Sequence, residues 1–207
     1  MKRLLLILCC AFAVPAFAQT VSVKDGNIQF TDKSGQIRPL TSSGRDSSPV
    51  LAPDGKWVVF VRKVDGKTIA TGSDEVEPTE LWQVRVDGKE ATLLVKCRDT
   101  GKPETGIAAF GSLQFSTNGK LVYFVTPAWA VTGAVYVVDT TNRKVRYLFP
   151  GNDVKVVPPG EFKDCLLVLQ HRYFIGGGSF DWYWLVRPDG KEIGPVGETT
   201  ENFDAAY

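Results

Sequence analysis

The one histidine, His171, sits in HRYFIGGGSFDW, close to Ser179 and Asp181. A nucleophilic triad needs a serine, a base within hydrogen-bond reach and an acid that orients the base. A hydrolase elbow places its serine in G-x-S-x-G on a strand-to-helix turn. Here Gly177-Gly178-Ser179-Phe180-Asp181 lacks the last glycine and runs into residues of strand type. A glycine-rich hairpin tip beside a solvated or core histidine accounts for the stretch, and no catalytic residue is assigned. Gly176-Gly177-Gly178 also lacks the Lys-Ser/Thr ending or helix start of a phosphate loop. One histidine and two separated cysteines, Cys97 and Cys165, give no zinc spacing. Asp74, Glu75, Glu77 and Glu80 form an acidic cluster without the spacing of a calcium loop. No metal and no cofactor is expected.

The candidates left are for binding: Trp129 in TPAWAVTG, the acidic residues Asp74, Glu75 and Glu77, and His171. Trp129 reads either as an anchor for a partner or as a lid over the core. Cys97 and Cys165 either stay as buried thiols or pair in an oxidising compartment. Closing that loop of roughly 70 residues would add about 4 kcal/mol on the chain-entropy model.

The elements that must hold these residues are strands. Short runs rich in Val, Tyr, Trp and Phe recur along the chain, bounded by Gly, Asp, Asn or Pro. No long window carries helical periodicity. The turns repeat in two kinds. LAPDGKWVVFVR (51–62) aligns with FSTNGKLVYFVT (115–126), and PGEFKDCLLVLQ (159–170) is a worn third copy. IQFTDKSGQIRPLT, LWQVRVDGKEATLLV, VYVVDTTNRKVRYLF and WLVRPDGKEIGPV share a strand, a polar turn and a basic-apolar strand. Asp-Gly and Asn-Gly supply the positive φ of tight hairpins, so these aspartates are turn chemistry. Two hairpins per repeat make a four-stranded sheet, one propeller blade. Phe180, Trp182 and Trp184 form an aromatic stripe that suits packing between blades better than a ligand shelf.

The class expected is therefore all-β: a small β-propeller of four-stranded antiparallel blades, about four in number. A half blade is read over 27–41, resembling an outer half, and fuller blades over 48–96, 112–150 and 153–197. Either a small four-bladed ring closes imperfectly, the favoured arrangement, or an open array leaves edges for a second copy to cover. In a four-strand meander the short turns share one end. The loops 63–80, 126–133 and 173–179 share the other, where binding is expected.

Residues 1–18 read as a secretory signal: Lys2 and Arg3, an apolar stretch from Leu4 to Val14, then Ala16-Phe17-Ala18. The domain would begin at Gln19 and run through 207. Cys9 and Cys10 lack the small residue that precedes a lipidated cysteine. Net charge is +1 with both signs interspersed, which excludes a nucleic-acid stripe. No later segment is long and apolar enough to span a bilayer.

SSPVLAPDGKWVVFVR and TELWQVRVDGKEATLLV resemble the blade repeat of TolB-type, WD-repeat-like propellers. Ala52 stands where that repeat usually has Ser. The resemblance implies a periplasmic or secreted, non-catalytic module docking onto an envelope protein or peptide, without cofactor, as monomer or homodimer. Alternatives are a ligand-binding or structural envelope protein, and, less favoured, a hydrolase or its accessory domain.

Overall fold

The computed structural model describes residues 18–206 apart from 73, 103 and 104. The leader expected over 1–18 lies, except for Ala18, outside the described residues.

Four antiparallel sheets follow one another along the chain. The first holds β1 (Thr20–Lys24), β2 (Asn27–Thr31) and β3 (Ile37–Pro39). The second holds β4 (Asp46–Leu51), β5 (Trp57–Lys63), β8 (Thr79–Arg85) and β9 (Thr92–Val95). Its middle loop carries the small hairpin β6 (Ile69–Ala70) and β7 (Glu75–Val76). The third is β10 (Gly111–Phe115), β11 (Leu121–Thr126), β12 (Ala134–Asp139) and β13 (Val145–Pro150). The fourth is β14 (Asp153–Val156), β15 (Leu166–Tyr173), β16 (Ser179–Val186) and β17 (Glu192–Gly197), followed by helix α1 (Glu201–Ala206).

The opening strands β1, β4, β10 and β14 pack in succession, so the sheets stack side by side. This explains the apolar runs. Val59 and Val61 of β5 enter the cluster shared with the third sheet, while Val58 and Phe60 enter the cluster shared with the first. In β11, Val122 and Phe124 face the second sheet and Tyr123 and Val125 the fourth. Strands covered on both faces need no polar alternation. Each large side chain fully buried this way contributes about 1.5–3 kcal/mol.

β2 differs. Ile28 and Phe30 are buried against the second sheet, while Gln29 and Thr31 face outward. The outer face of the first sheet is thus polar. At the other end, the far face of the fourth sheet is covered by Phe162 and by Phe203 of α1, over Cys165, Leu167 and Leu185. Among the described residues no apolar cluster joins the first sheet to the fourth, and packing follows chain order. The sheets form an open arc, where the imperfectly closed ring was the favoured expectation. The outward face of the first sheet is largely polar, with Ile37 exposed on it, and Phe162 and Phe203 cover much of the far face of the fourth.

The short turns gather at one end and touch. Gly55 (φ 67°) donates its N–H to the Ala52 carbonyl at 2.9 Å, and Gly119 (φ 70°) does the same to Ser116. Thr117 donates through its backbone N–H and its hydroxyl to the Asp164 carboxylate, at 2.7 and 2.9 Å. The turn of the third sheet is thus tied to the loop that precedes β15.

Candidate functional site

The opposite end carries the long loops, and three of them meet. They are the β6–β7 hairpin, the linker from β9 to β10 (96–110) and the β11–β12 loop (127–133). Together they enclose a cleft of about 420 Å³. Gly72 donates its N–H to the Ala128 carbonyl at 2.7 Å. A Cβ on Gly72 would stand 2.5 Å from the Trp129 backbone, so this close approach requires glycine.

The linker is held by the strands beneath it. Thr126, fully buried at the end of β11, accepts the N–H of Ala108 at 3.1 Å through its hydroxyl oxygen. Ile107 is buried in the cluster between sheets two and three, and the Tyr136 hydroxyl donates to the Gly106 carbonyl at 3.1 Å. Arg98 and Ile107 exchange backbone hydrogen bonds at 2.8 and 2.9 Å. These contacts fix Arg98 and Gly106–Ala108 as one wall of the cleft.

The cleft is lined mainly by small residues, among them Ala70, Gly72, Gly106, Ala108, Ala128 and Ala130. Such a wall leaves backbone groups within reach of a ligand and offers an apolar floor. Trp129 is half-buried at the rim, its body packed on the core cluster and its N–H donating to the Thr132 carbonyl at 2.8 Å through the backbone. Asp99 and Lys102 supply charge at the cleft. A second cleft of about 360 Å³, lined by Gly111, Ser112 and Asn152, shares Pro127 with the first. There Ser112 donates to Asp153 at 2.6 Å, and the Tyr183 hydroxyl donates to the same carboxylate at 2.8 Å. Burial, then Asp153, push the Tyr183 hydroxyl up to about 12. This serine donates to a carboxylate with no imidazole in the network, which is not an activated nucleophile.

The sequence-predicted residues do not converge. Glu77 pairs with Lys63 at 2.7 Å, and this partner holds its carboxyl below the usual range. Glu75 accepts from the Thr68 hydroxyl at 2.7 Å, and the Asp74 carbonyl accepts from Thr71. A wide cleft of about 640 Å³ beside Glu77 is lined by two ion pairs, Lys63–Glu77 and Arg45–Asp65, so its charges are already matched. His171 lies on the fourth sheet, its Nδ1 2.9 Å from Asp181 Oδ1 and its ring edge-on to Tyr173. Ser179 stands two cross-strand pairs farther out, opposite Tyr173, with no hydrogen bond to the ring among the described residues. Cys97 and Cys165 are both free thiols. Cys97 follows the last strand of the second sheet and Cys165 lies on the far face of the fourth, so the third sheet stands between them and, of the two alternatives, the unpaired thiols are the one found. Burial pushes both thiols up.

Sequence reasoning missed the 96–110 linker. Its signal was the longest gap between strand segments, rich in Gly, Thr and charge.

No family model and no curated protein matches the sequence. Solved structures do. A candidate TolB from Agrobacterium tumefaciens superposes with a TM-score of 0.59 at 13% identity, over 88% of this chain and 58% of that one. The chain has a TolB-like propeller fold. Dipeptidyl peptidase 4 from Porphyromonas gingivalis gives 0.55 at 11% identity, over 88% of this chain and 31% of that one. The β-propeller domain of the Trilobed protease from Pyrococcus furiosus, described as having an open velcro topology, gives 0.54 at 15%, over 81% and 48%. The chain thus spans between 31% and 58% of these structures. At such identities the likeness speaks for the fold alone, and proteins of TolB name and proteases share it. Among the described residues no helix is long and apolar enough to cross a membrane.

Proposed function

We propose that this TolB-like arc is a non-catalytic interaction module of the periplasm that holds a short apolar peptide segment of an envelope protein in the cleft beside Trp129. The observation that carries this reading is the cleft itself. Its about 420 Å³ falls within the range of roughly 300–1,000 Å³ typical of ligand sites. Its walls are small residues around one half-buried aromatic, which favours a chain presenting backbone groups and an apolar side chain. Loops fixed by Thr126, Tyr136 and Gly72 present it without a large ordering cost.

The test is a display library of short peptides panned against the protein. Binders are expected to weaken about tenfold or more on Trp129→Ala or Ala130→Glu. Equal affinity for all three proteins would overturn the reading.

A further inference from the structure

The first sheet is one strand short. Each of the other three holds four strands and begins with β4, β10 or β14, paired antiparallel to the strand that follows. In the first sheet β2 and β3 carry the turn of IQFTDKSGQIRPLT, the kind that joins third strand to fourth elsewhere. β1 therefore stands in the place of a second strand. Its direction agrees. Gln19 lies by the Gly55 turn and the Gly26 carbonyl accepts the Asp46 N–H at 2.7 Å, so β1 runs antiparallel to β4. Among the described residues no first strand pairs with β1.

The consequence is a bare edge. β5, β11 and β15, the second strands of the complete sheets, are mostly buried, whereas every residue of β1 except Val21 is exposed. Val21 and Val23 stand opposite Phe30 and Ile28 and share their core-facing side, yet Val23 is exposed. The backbone is open as well. Ile28 turns both of its groups away from β1: its carbonyl accepts the Leu40 N–H at 2.8 Å, and its N–H donates to the Thr41 hydroxyl at 2.9 Å. Its cross-strand partner Val23 therefore points its own N–H and carbonyl away from β2, and Val21 does the same. Among the described residues no backbone bond reaches these groups. Exposed edges are normally blunted by charge, proline or a bulge, and here only Lys24, at the last position, is of that kind.

We propose that the edge of β1 binds an extended segment of a partner protein as the missing first strand of this sheet. Main-chain hydrogen bonds to Val21 and Val23 hold such a strand, and its alternate side chains select it. The second sheet supplies the template. There Asp46 of the first strand lies opposite Arg62 of the second and binds it at 2.6 Å. Lys24 stands at the same end of β1, and no ion pair among the described residues includes it. The partner segment is therefore antiparallel to β1, with an acidic residue opposite Lys24 and β-branched residues opposite Val23 and Val21. Because β1, β4, β10 and β14 pack on one another, the edge lies on the inner side of the arc. That place admits one strand more readily than a second folded copy.

This site is separate from the cleft beside Trp129, and so is its test. All four apolar clusters are built from residues between Val21 and Phe203, so the chain from Gln19 carries the whole packed structure. The probe is a copy of residues 152–157, NDVKVV, whose DVKV has the required order of acid and valines. A short flexible linker joins it to Gln19, which sets its local concentration in about the millimolar range. Hydrogen exchange at the Val21 and Val23 amides is expected to slow about tenfold or more against the unlinked chain. Val23→Pro removes an edge donor without touching the β2 ladder and should abolish the protection at Val21. Should that variant fail to fold, proline in place of the copied Val154 serves instead. Lys24→Glu should weaken the protection a few-fold. Trp129→Ala should leave it unchanged. Equal exchange with and without the linked strand, or equal protection by the proline-bearing strand, would overturn the proposal. So would an unlinked chain already protected at Val21 and Val23, whether by retained residues 1–17 or in a dimer, seen by light scattering, that Val23→Pro dissolves.

Discussion

The β11–β12 loop and the β15–β16 tip occupy equivalent places, each joining the second and third strands of a sheet. Each carries aromatic and small residues. The first lies down: Ala128 is buried and Trp129 packs on the core. The second stands up, with Phe174 and Ile175 exposed. The difference is the neighbours. The β11–β12 loop meets the β6–β7 hairpin and the 96–110 linker, which offer Gly72 and a buried seam. The β15–β16 hairpin rises past the paired parts of β14 and β17, and among the described residues no further four-stranded sheet follows the fourth. Apolar residues in a loop thus mean core or contact surface according to what the fold places alongside.

The largest test of this contrast is in the seam. Phe124 is fully buried, stacked on Tyr136 and against Phe110. Phe124→Ala should cost about 3–5 kcal/mol in denaturant unfolding, and a cost near zero would break the assignment of this seam as the core. A second pair compares ions. Asp46 is buried and bound twice by Arg62, at 2.6 and 3.0 Å, whereas Glu192 and Arg172 at the base of the β15–β16 hairpin are partly exposed. Burial opposes the charge on Asp46, but hydrogen bonds from Arg62, Thr41 and Ser43 outweigh it and hold the carboxyl below its ordinary value. A depressed pKa contributes stability that is present above the unfolded value near 3.8 and is lost as pH falls through the folded one. Asp46→Asn should therefore cost up to about 3–5 kcal/mol at neutral pH and flatten the loss of stability below about pH 4. Glu192→Gln should change stability by less than about 1 kcal/mol.

Gly72→Ala forces a methyl group into the Trp129 backbone and should cost about 1–3 kcal/mol, while raising the mobility of the β11–β12 loop in hydrogen exchange. Phe174→Ser at the exposed tip should shift the unfolding midpoint by an amount worth under about 0.5 kcal/mol. A larger loss there would mean that the hairpin folds back on the sheet.

Much of the scaffold could be read from residue order. Trp57–Val61 and Leu121–Val125, apolar without alternation, announced strands buried on both faces, and the structure places each between two sheets. Asn27–Thr31 does alternate, and the structure gives it one buried face and one facing outward. The site was harder. Trp129 is in view in the sequence, but the linker that walls its cleft is polar and glycine-rich and has no periodicity to mark it. The acidic residues looked like one cluster because they are close in sequence, yet Lys63 and Thr68 engage them separately.

The sequence by itself determined the all-β class and the tight turns of the repeat, because those depend on strand-type runs and on glycine at positive φ, both local properties. Only the tertiary structure decided which loops meet, that Cys97 and Cys165 stand apart, and that Phe174 and Ile175 stand out in solvent while Trp129 packs on the core beside the cleft. Those outcomes depend on what lies across a gap, which no local pattern encodes.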